Sequence, residues 1–126
     1  QNLTICPSVP AQYAALSAFD PSVLEQLDAQ RDILAERRKL MLSSITETGL
    51  QVPVSPDGAF YLYAKLPEHF GSADDYCRDL LEQEGVAITP GTDFGDHDAQ
   101  HYVRISYAQP RAVLQQALER MVRFRP

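Results

Sequence analysis

The sequence contains few cysteines and no apolar stretch long enough to cross a membrane. Its two cysteines, Cys6 and Cys77, lie far apart, and neither belongs to a Cys-x-x-Cys pair. That spacing favours neither a disulfide framework nor a zinc site, so we expect free thiols in a reducing compartment. No apolar run approaches the roughly 20 residues that a membrane-spanning helix needs, and no signal-peptide pattern is present. We therefore expect a cytoplasmic protein without a membrane partner.

Positive charge is also scarce. The chain has 11 Lys and Arg residues and 17 Asp and Glu residues, which gives a net charge of −6. Nucleic-acid binding requires a basic surface, so we expect no such partner. The basic run at residues 31–39 contains Asp32 and Glu36 at helical spacing, which is typical of an ion-paired helix face. Gly-x-Ser-x-Gly, Gly-x-Gly-x-x-Gly and P-loop patterns are absent. Motif evidence for a serine hydrolase or a nucleotide-binding protein is therefore missing.

One acidic loop could suggest a cation site, since it contains Asp93, Asp96, His97 and Asp98. It lacks the EF-hand pattern, and an acidic surface loop is the better interpretation. His97 and His101 are four residues apart, but they lie in a loop that leads into a strand and share no helical face. We expect no metal site.

Enough apolar sequence remains for one ordinary domain, since 44% of the 126 residues are hydrophobic and 22% are charged. These proportions are typical of globular proteins. The chain begins without a methionine, and we expect a piece of a longer protein.

Two helices are predicted before residue 49. The first covers residues 10–19. The second begins at a capping box of Ser22 and Glu25, or alternatively at Asp20 before a proline, and ends at Gly49. Its apolar residues recur at three-, four- and seven-residue steps: Leu24, Leu27, Leu34, Met41 and Ile45. A helix of about 25 residues would be about 38 Å long, which is typical of a rod that connects two bodies.

The remaining pattern, from residue 49 onward, is β-β-α-β-β-α. A hairpin is predicted over residues 50–66 around a Pro-Asp-Gly turn, and a helix from the Ser72–Asp75 cap to Gly85. A short strand over 86–89, a second over 101–108 and a helix after Pro110 complete the order. The buried stripe of this last helix is predicted to be Val113, Leu114, Ala117, Leu118, Met121 and Val122. The fold class is therefore α+β, a two-layer sandwich of a small, mostly antiparallel sheet with helices on one face.

Arg104 is the candidate binding residue. Alternation in its strand places Val103, Ile105 and Tyr107 on one face, and Tyr102, Arg104 and Ser106 on the other. An arginine on a solvated sheet face is common, so alternation alone leaves that explanation open. A guanidinium also matches a carboxylate through two parallel hydrogen bonds, which would make Arg104 an anion-binding residue.

The order of motifs resembles the C-terminal part of class I/II (fold type I) aminotransferases, which depend on pyridoxal phosphate. The matching segments are PSVPAQYAAL, AERRKLM, PVSPDGAFYLYAKLP, EGVAITPGTDFG and YVRISYA. They occur in the family's order and spacing over almost the whole chain. The resemblance implies a helical segment with a linker helix over residues 1–48 and the small domain over 49–126.

The same resemblance implies that Arg104 binds the α-carboxylate of an amino-acid or keto-acid substrate. It also implies that Phe94 and Pro90-Gly91 shape the loop near the cleft. Pyridoxal 5′-phosphate would be held by a large domain that lies upstream, because Lys39 and Lys65 lack the context of the family's Schiff-base lysine. The parent would be a homodimer, and this chain alone would be inactive and without bound cofactor.

Two alternatives stay open at this point. The same fold could be the effector-binding domain of a transcription regulator, with a DNA-binding domain upstream. It could also be a free-standing module that binds a small acid or a partner protein through its open sheet face.

Overall fold

The computed structural model describes residues 7–124. In chain order, the helices and strands of this part are α1 (Val9–Ser17), α2 (Pro21–Ser44), β1 (Tyr61–Lys65), α3 (Ala73–Glu84), β2 (Thr89–Pro90), β3 (Tyr102–Ser106) and α4 (Arg111–Arg123). They belong to two compact units that divide between Ile33 and Leu34. The domain boundary expected between residues 48 and 49 stays a prediction. None of the described helices is long and apolar enough to cross a membrane.

The first unit contains α1 and the first half of α2, and its large apolar side chains are exposed. They are Val9, Tyr13, Leu16, Phe19, Leu24, Leu27 and Ile33. Among the described residues of this unit none is buried. Isolated helices gain little stability without tertiary packing, so this segment presents an apolar surface that lacks a cover within the unit.

The start of α2 decides between the two predicted caps. The carbonyl of Asp20 accepts hydrogen bonds from the N–H groups of Val23 (2.9 Å) and Leu24 (3.0 Å), and Pro21 is the first helical residue. Ser22 therefore lies inside the first turn, where it cannot act as a cap. The start at Asp20 is confirmed and the Ser22 capping box is wrong.

The second unit is built on a three-stranded antiparallel sheet with the order β1-β3-β2. β1 pairs with β3 over all five of its residues, whereas little remains of the hairpin predicted over residues 50–66. The segment before β1 contributes a single bridge between Gln51 and Lys65. Pro53 and Pro56 follow that bridge, and proline has no N–H to continue a ladder. The strand predicted over 86–89 overlaps the observed β2, Thr89–Pro90, at Thr89 alone.

One face of the sheet is covered by helices, as the predicted α+β sandwich requires. Leu62, Ala64, Val103 and Ile105 point to this side and are nearly or fully buried. The same core contains side chains from the second half of α2, the turn after it, α3 and α4: Met41, Ile45, Tyr76, Leu80, Leu114, Leu118 and Met121. Val113, predicted to lie in the buried stripe of α4, is 47% exposed.

Cys77 on α3 is a buried free thiol, and burial raises its pKa to about 12. Cys6 lies outside the described residues. A thiol with so high a pKa stays protonated at neutral pH and is a poor nucleophile.

Two buried tyrosines differ in the environment of their hydroxyl groups. Tyr107 Oη donates to the carbonyls of Gly58 and Ala59, at 3.2 Å each. These bonds hold the turn before β1, in which Ala59 adopts a positive φ of 59°. Tyr76 Oη is also buried, but among the described residues it has no hydrogen-bond partner.

The change from Tyr to Phe should therefore have different effects at these two positions. Tyr107→Phe removes both bonds to the turn, and we expect it to lower the free energy of unfolding by about 1–2 kcal/mol. Tyr76→Phe removes a buried hydroxyl without a partner, and we expect stability to be unchanged or raised by about 1 kcal/mol. Urea unfolding of the two variants beside the wild type measures both effects. Equal destabilisation would contradict the assignment of the hydroxyl environments.

The Tyr76 variant should also change the response to alkaline pH. Burial raises the pKa of Tyr76 from 10.0 to about 12, so the folded state favours the neutral phenol. The stability that the folded state gains from this pKa difference is fully present below pH 10 and is lost as the pH rises from 10 towards 12. Over that range Tyr76→Phe should lose less stability than the wild type.

Candidate functional site

Arg104 lies at the centre of β3 and on the sheet face that the helices leave open. It is paired across the sheet with Tyr63 of β1 and Thr89 of β2. Its neighbours Val103 and Ile105 are buried, whereas Arg104 itself is partly exposed. The two faces predicted for this strand are confirmed. The charged group of Arg104 is therefore fixed to a rigid element and directed away from the core.

Two aromatic rings flank the Arg104 guanidinium. Its Cζ atom lies 4.0 Å from the centroid of the Phe94 ring and 5.4 Å from that of Tyr61. Cations over aromatic rings at these distances are attracted by the ring quadrupole. Among residues 7–124 no carboxylate or carbonyl is hydrogen-bonded or ion-paired to this guanidinium. Its donors are thus available to a ligand from outside this part of the chain.

The loop that contains Phe94 is held close to the sheet. A Cβ on Gly91 would lie 2.6 Å from the hydroxyl oxygen of Tyr63, 2.8 Å from the carbonyl oxygen of Tyr102, and closer still to that of Ala99. Only glycine permits so close an approach. The next residue ties the loop to α3, because Thr92 Oγ1 donates to the Asp74 carboxylate at 3.1 Å.

A pair of stacked tyrosines lies beside Arg104 on the same face. The rings of Tyr63 and Tyr102 are 4.9 Å apart and nearly parallel. They line a cavity of about 370 Å³, whose other walls are Pro53, Val54, His97 and Asp98. Burial, together with Tyr102 and the Asp98 carboxylate, raises the pKa of Tyr63. Its phenol is therefore neutral at physiological pH and can donate a hydrogen bond.

Two larger cavities of about 480 Å³ each lie elsewhere in the second unit. One is between α2 and α4, and the other is between α4 and the segment before β2. Arg104 lines none of these three cavities, and it lies beside the smallest of them on the open sheet face. Size alone would favour the two larger cavities, but the open sheet face combines an available cation with aromatic walls, the usual features of a ligand site.

The acidic loop has no metal-binding arrangement. Asp93, Asp96, His97 and Asp98 are exposed, and the nearest pairing is an Asp98–His101 contact of 3.7 Å. No group of three His, Cys, Asp or Glu side chains that could hold a metal ion occurs within the described part of the chain.

The two lysines provide a test of whether this chain could hold pyridoxal phosphate. Lys39 forms an ion pair with Glu36 (2.7 Å) on the exposed side of α2. Lys65 Nζ lies 5.9 Å from the centroid of the Tyr102 ring, at the end of β1. Among the described residues, no aspartate is ion-paired with either lysine. The described residues therefore do not fit the cofactor.

Tyr61 is the site residue that sequence reasoning missed. Nothing in its sequence pattern distinguishes it from other strand residues, yet its ring contacts Arg104 from the neighbouring strand. In the observed register, Tyr63 is opposite Arg104 and Tyr61 is opposite Ser106, so Tyr61 is a diagonal neighbour of the arginine. Aromatic side chains reach such diagonal positions. The alternation of side chains along the strands would indicate this contact only together with the pairing of β1 with β3, which the sequence does not reveal.

Comparison with known proteins identifies the family. The sequence model of the family "Aminotransferase class I and II" matches residues 1–121. A valine–pyruvate aminotransferase of Mycobacterium tuberculosis is 38% identical over 99% of this chain and 32% of its own length. An aspartate aminotransferase of Bacillus subtilis is 36% identical over 94% of this chain and 30% of its own.

Solved structures agree with these sequence matches. The crystal structure of an aminotransferase from Mycobacterium tuberculosis superposes with a TM-score of 0.88 and 38% identity, over 96% of this chain and 31% of that one. The chain thus belongs to the class I and II aminotransferase family and spans about a third of the length of these relatives.

Two glycines of the site loop offer a matched test of its geometry. Gly91→Ala places a methyl group against backbone oxygens that cannot move independently, and we expect a loss of about 2 kcal/mol or more in the free energy of unfolding. Gly95→Ala adds the same methyl group where nothing lies within 4 Å, so we expect little change. Thermal unfolding of both variants measures the difference. A Gly91→Ala variant as stable as Gly95→Ala would contradict the close packing of the loop.

Proposed function

We propose that this chain is the C-terminal part of an aminotransferase that uses pyridoxal phosphate to move an amino group between an amino acid and a keto acid. In this proposal Arg104 binds the substrate α-carboxylate. The observation that supports it best is the Arg104 guanidinium itself, which lies on the open sheet face with its donors unused by the described residues. Family membership adds a carboxylate-bearing substrate class to that geometry.

The role of Arg104 follows from its chemistry and its position. A guanidinium can form two parallel, charge-assisted hydrogen bonds to one carboxylate, which fixes the orientation of the substrate as well as its affinity. Because β3 is buried on its other face, the guanidinium is anchored more firmly than one on a mobile loop. Orientation of a reacting group contributes to the rate of the chemical step. Loss of Arg104 should therefore raise KM and lower kcat.

The cofactor would be held by a larger domain outside this chain. When bound, pyridoxal phosphate supplies an electron sink for the bonds at the substrate α-carbon. The Schiff-base lysine would come from that domain, since the surroundings of Lys39 and Lys65 do not fit it. The exposed apolar side chains of the first unit are consistent with a helical segment that packs on another body, and we propose the same division at residues 48/49 as the sequence indicates. The parent would be a cytoplasmic homodimer.

The names of the relatives leave the amino donor open. One is a valine–pyruvate aminotransferase and another an aspartate aminotransferase. We therefore propose only the substrate class, an α-amino acid with an α-keto acid acceptor. Neither a regulator with an aminotransferase-like effector domain nor a free-standing binding module is favoured by a specific observation.

Replacement of Arg104 in the full-length protein tests its role. Arg104→Lys keeps the charge but loses the bidentate fork, and we expect kcat/KM for the amino donor to fall about tenfold or more. The donor would be the best of L-valine, L-aspartate and L-phenylalanine with pyruvate or 2-oxoglutarate as acceptor. An amine with the same side chain but no carboxylate should show the same residual turnover in wild type and variant.

Arg78→Lys is the matched control for that experiment, because Arg78 is an exposed arginine of α3 paired with Asp75 and Asp79. It should leave all kinetic constants unchanged. Wild-type KM and kcat in the Arg104→Lys variant would rule out the proposed role of Arg104.

The proposal also predicts that residues 1–126 alone do not transaminate. We expect neither turnover nor the visible absorbance of bound pyridoxal phosphate when this fragment is mixed with the cofactor, because the residues that fit the cofactor lie elsewhere. The full-length protein under the same conditions is the positive control. Turnover by the fragment would overturn the assignment of the cofactor site to another domain.

A further inference from the structure

We propose that Phe94 is a positioning residue, which holds the Arg104 guanidinium where it binds a carboxylate. This inference rests on the proposed role of Arg104. The Phe94 ring is the closer of the two aromatic contacts, with 4.0 Å between its centroid and Arg104 Cζ. A long arginine side chain has many rotamers, and one that must be ordered on binding loses affinity. Contact with a fixed ring removes part of that freedom before the ligand arrives.

An aromatic neighbour is suited to this task because it restrains the cation without occupying its hydrogen-bond donors. A carboxylate in the same place would also order the guanidinium, but it would compete with the ligand for the same N–H groups and cancel the charge. Within the described residues Arg104 has ring contacts and no ion pair. That combination leaves the donors available while the side chain is restrained.

Core packing among the described residues does not explain Phe94. Its side chain is 50% exposed, and it is not a member of the hydrophobic core cluster. The backbone around it is nevertheless well fixed, because its N–H donates to the Gly91 carbonyl at 2.9 Å and Thr92 is tied to Asp74. A half-exposed ring on a firmly anchored loop fits a role towards Arg104 better than a role in stability.

The test uses three variants of the full-length protein. Phe94→Leu keeps apolar volume but removes the ring, and we expect the KM of the amino donor and the inhibition constant of butanoate, a plain carboxylate, to rise about three- to thirtyfold. Phe94→Tyr keeps the ring and should behave as wild type. The double variant Phe94→Leu/Arg104→Lys should have the same KM and inhibition constant as Arg104→Lys alone, because the guanidinium that Phe94 restrains is already absent.

The outcomes separate this inference from the proposed function. An effect of Arg104→Lys without an effect of Phe94→Leu would overturn the inference alone. Wild-type kinetic constants in the Arg104→Lys variant would overturn the proposed role of Arg104, and with it the inference that rests on that role. The Phe94→Leu variant could also lose turnover equally with the amino acid and with the amine that lacks a carboxylate. That result would show a general role of Phe94 and overturn its positioning role.

A crystal structure of the Phe94→Leu variant gives a readout that does not depend on activity. We expect Arg104 in more than one rotamer, or with its Cζ displaced from the wild-type position, in the absence of substrate. Arg104 in the single wild-type rotamer would overturn the inference, even if the kinetic constants had changed.

Discussion

The antiparallel pairing of β1 with β3 is the constraint on which the site depends. In this register Leu62 lies opposite Ile105, and Ala64 opposite Val103; all four side chains are buried or nearly so. Burial of one aliphatic side chain stabilises a protein by roughly 1.5–3 kcal/mol. A slip of one residue would turn this whole set towards solvent. The outward direction of Arg104 is therefore a consequence of burying the residues on either side of it.

The same pairing places the loop that completes the site. β2 is only two residues long, and Thr89 lies directly opposite Arg104. The chain then passes Gly91, where the absence of a side chain allows the backbone to lie against Tyr63 and the segment before β3. Three residues later Phe94 reaches the guanidinium. The sheet thus fixes the cation, and a close-packed glycine fixes the ring that covers it.

Local signals were sufficient for several elements and insufficient for the contacts between them. The Ser72 cap and the stop at Gly85 were predicted from side chains within one helical turn, and both are confirmed: Ser72 Oγ accepts from the Asp75 N–H, and Gly85 has a positive φ of 65°. The sequence does not predict the pairing of β1 with β3, because that pairing depends on residues some 40 positions away, whereas a nearby Pro-Asp-Gly turn favours a local hairpin of which only the Gln51–Lys65 bridge forms. Periodicity also shows which side of a helix is apolar but not what covers it, as the exposed Leu24 illustrates.

If Arg104 binds a substrate carboxylate as proposed, its neighbours must meet two requirements that conflict. A binding arginine must be held in place, and in a chain of net charge −6 the commonest way to hold it would be an ion pair with Asp or Glu. Such a pair would satisfy the guanidinium internally, and a substrate would have to displace it at a cost comparable to the bond it gains. The nearby acidic loop avoids this, since none of its described carboxylates is paired with Arg104. Aromatic contacts meet both requirements because they restrict the side chain and leave its charge and its donors for the ligand.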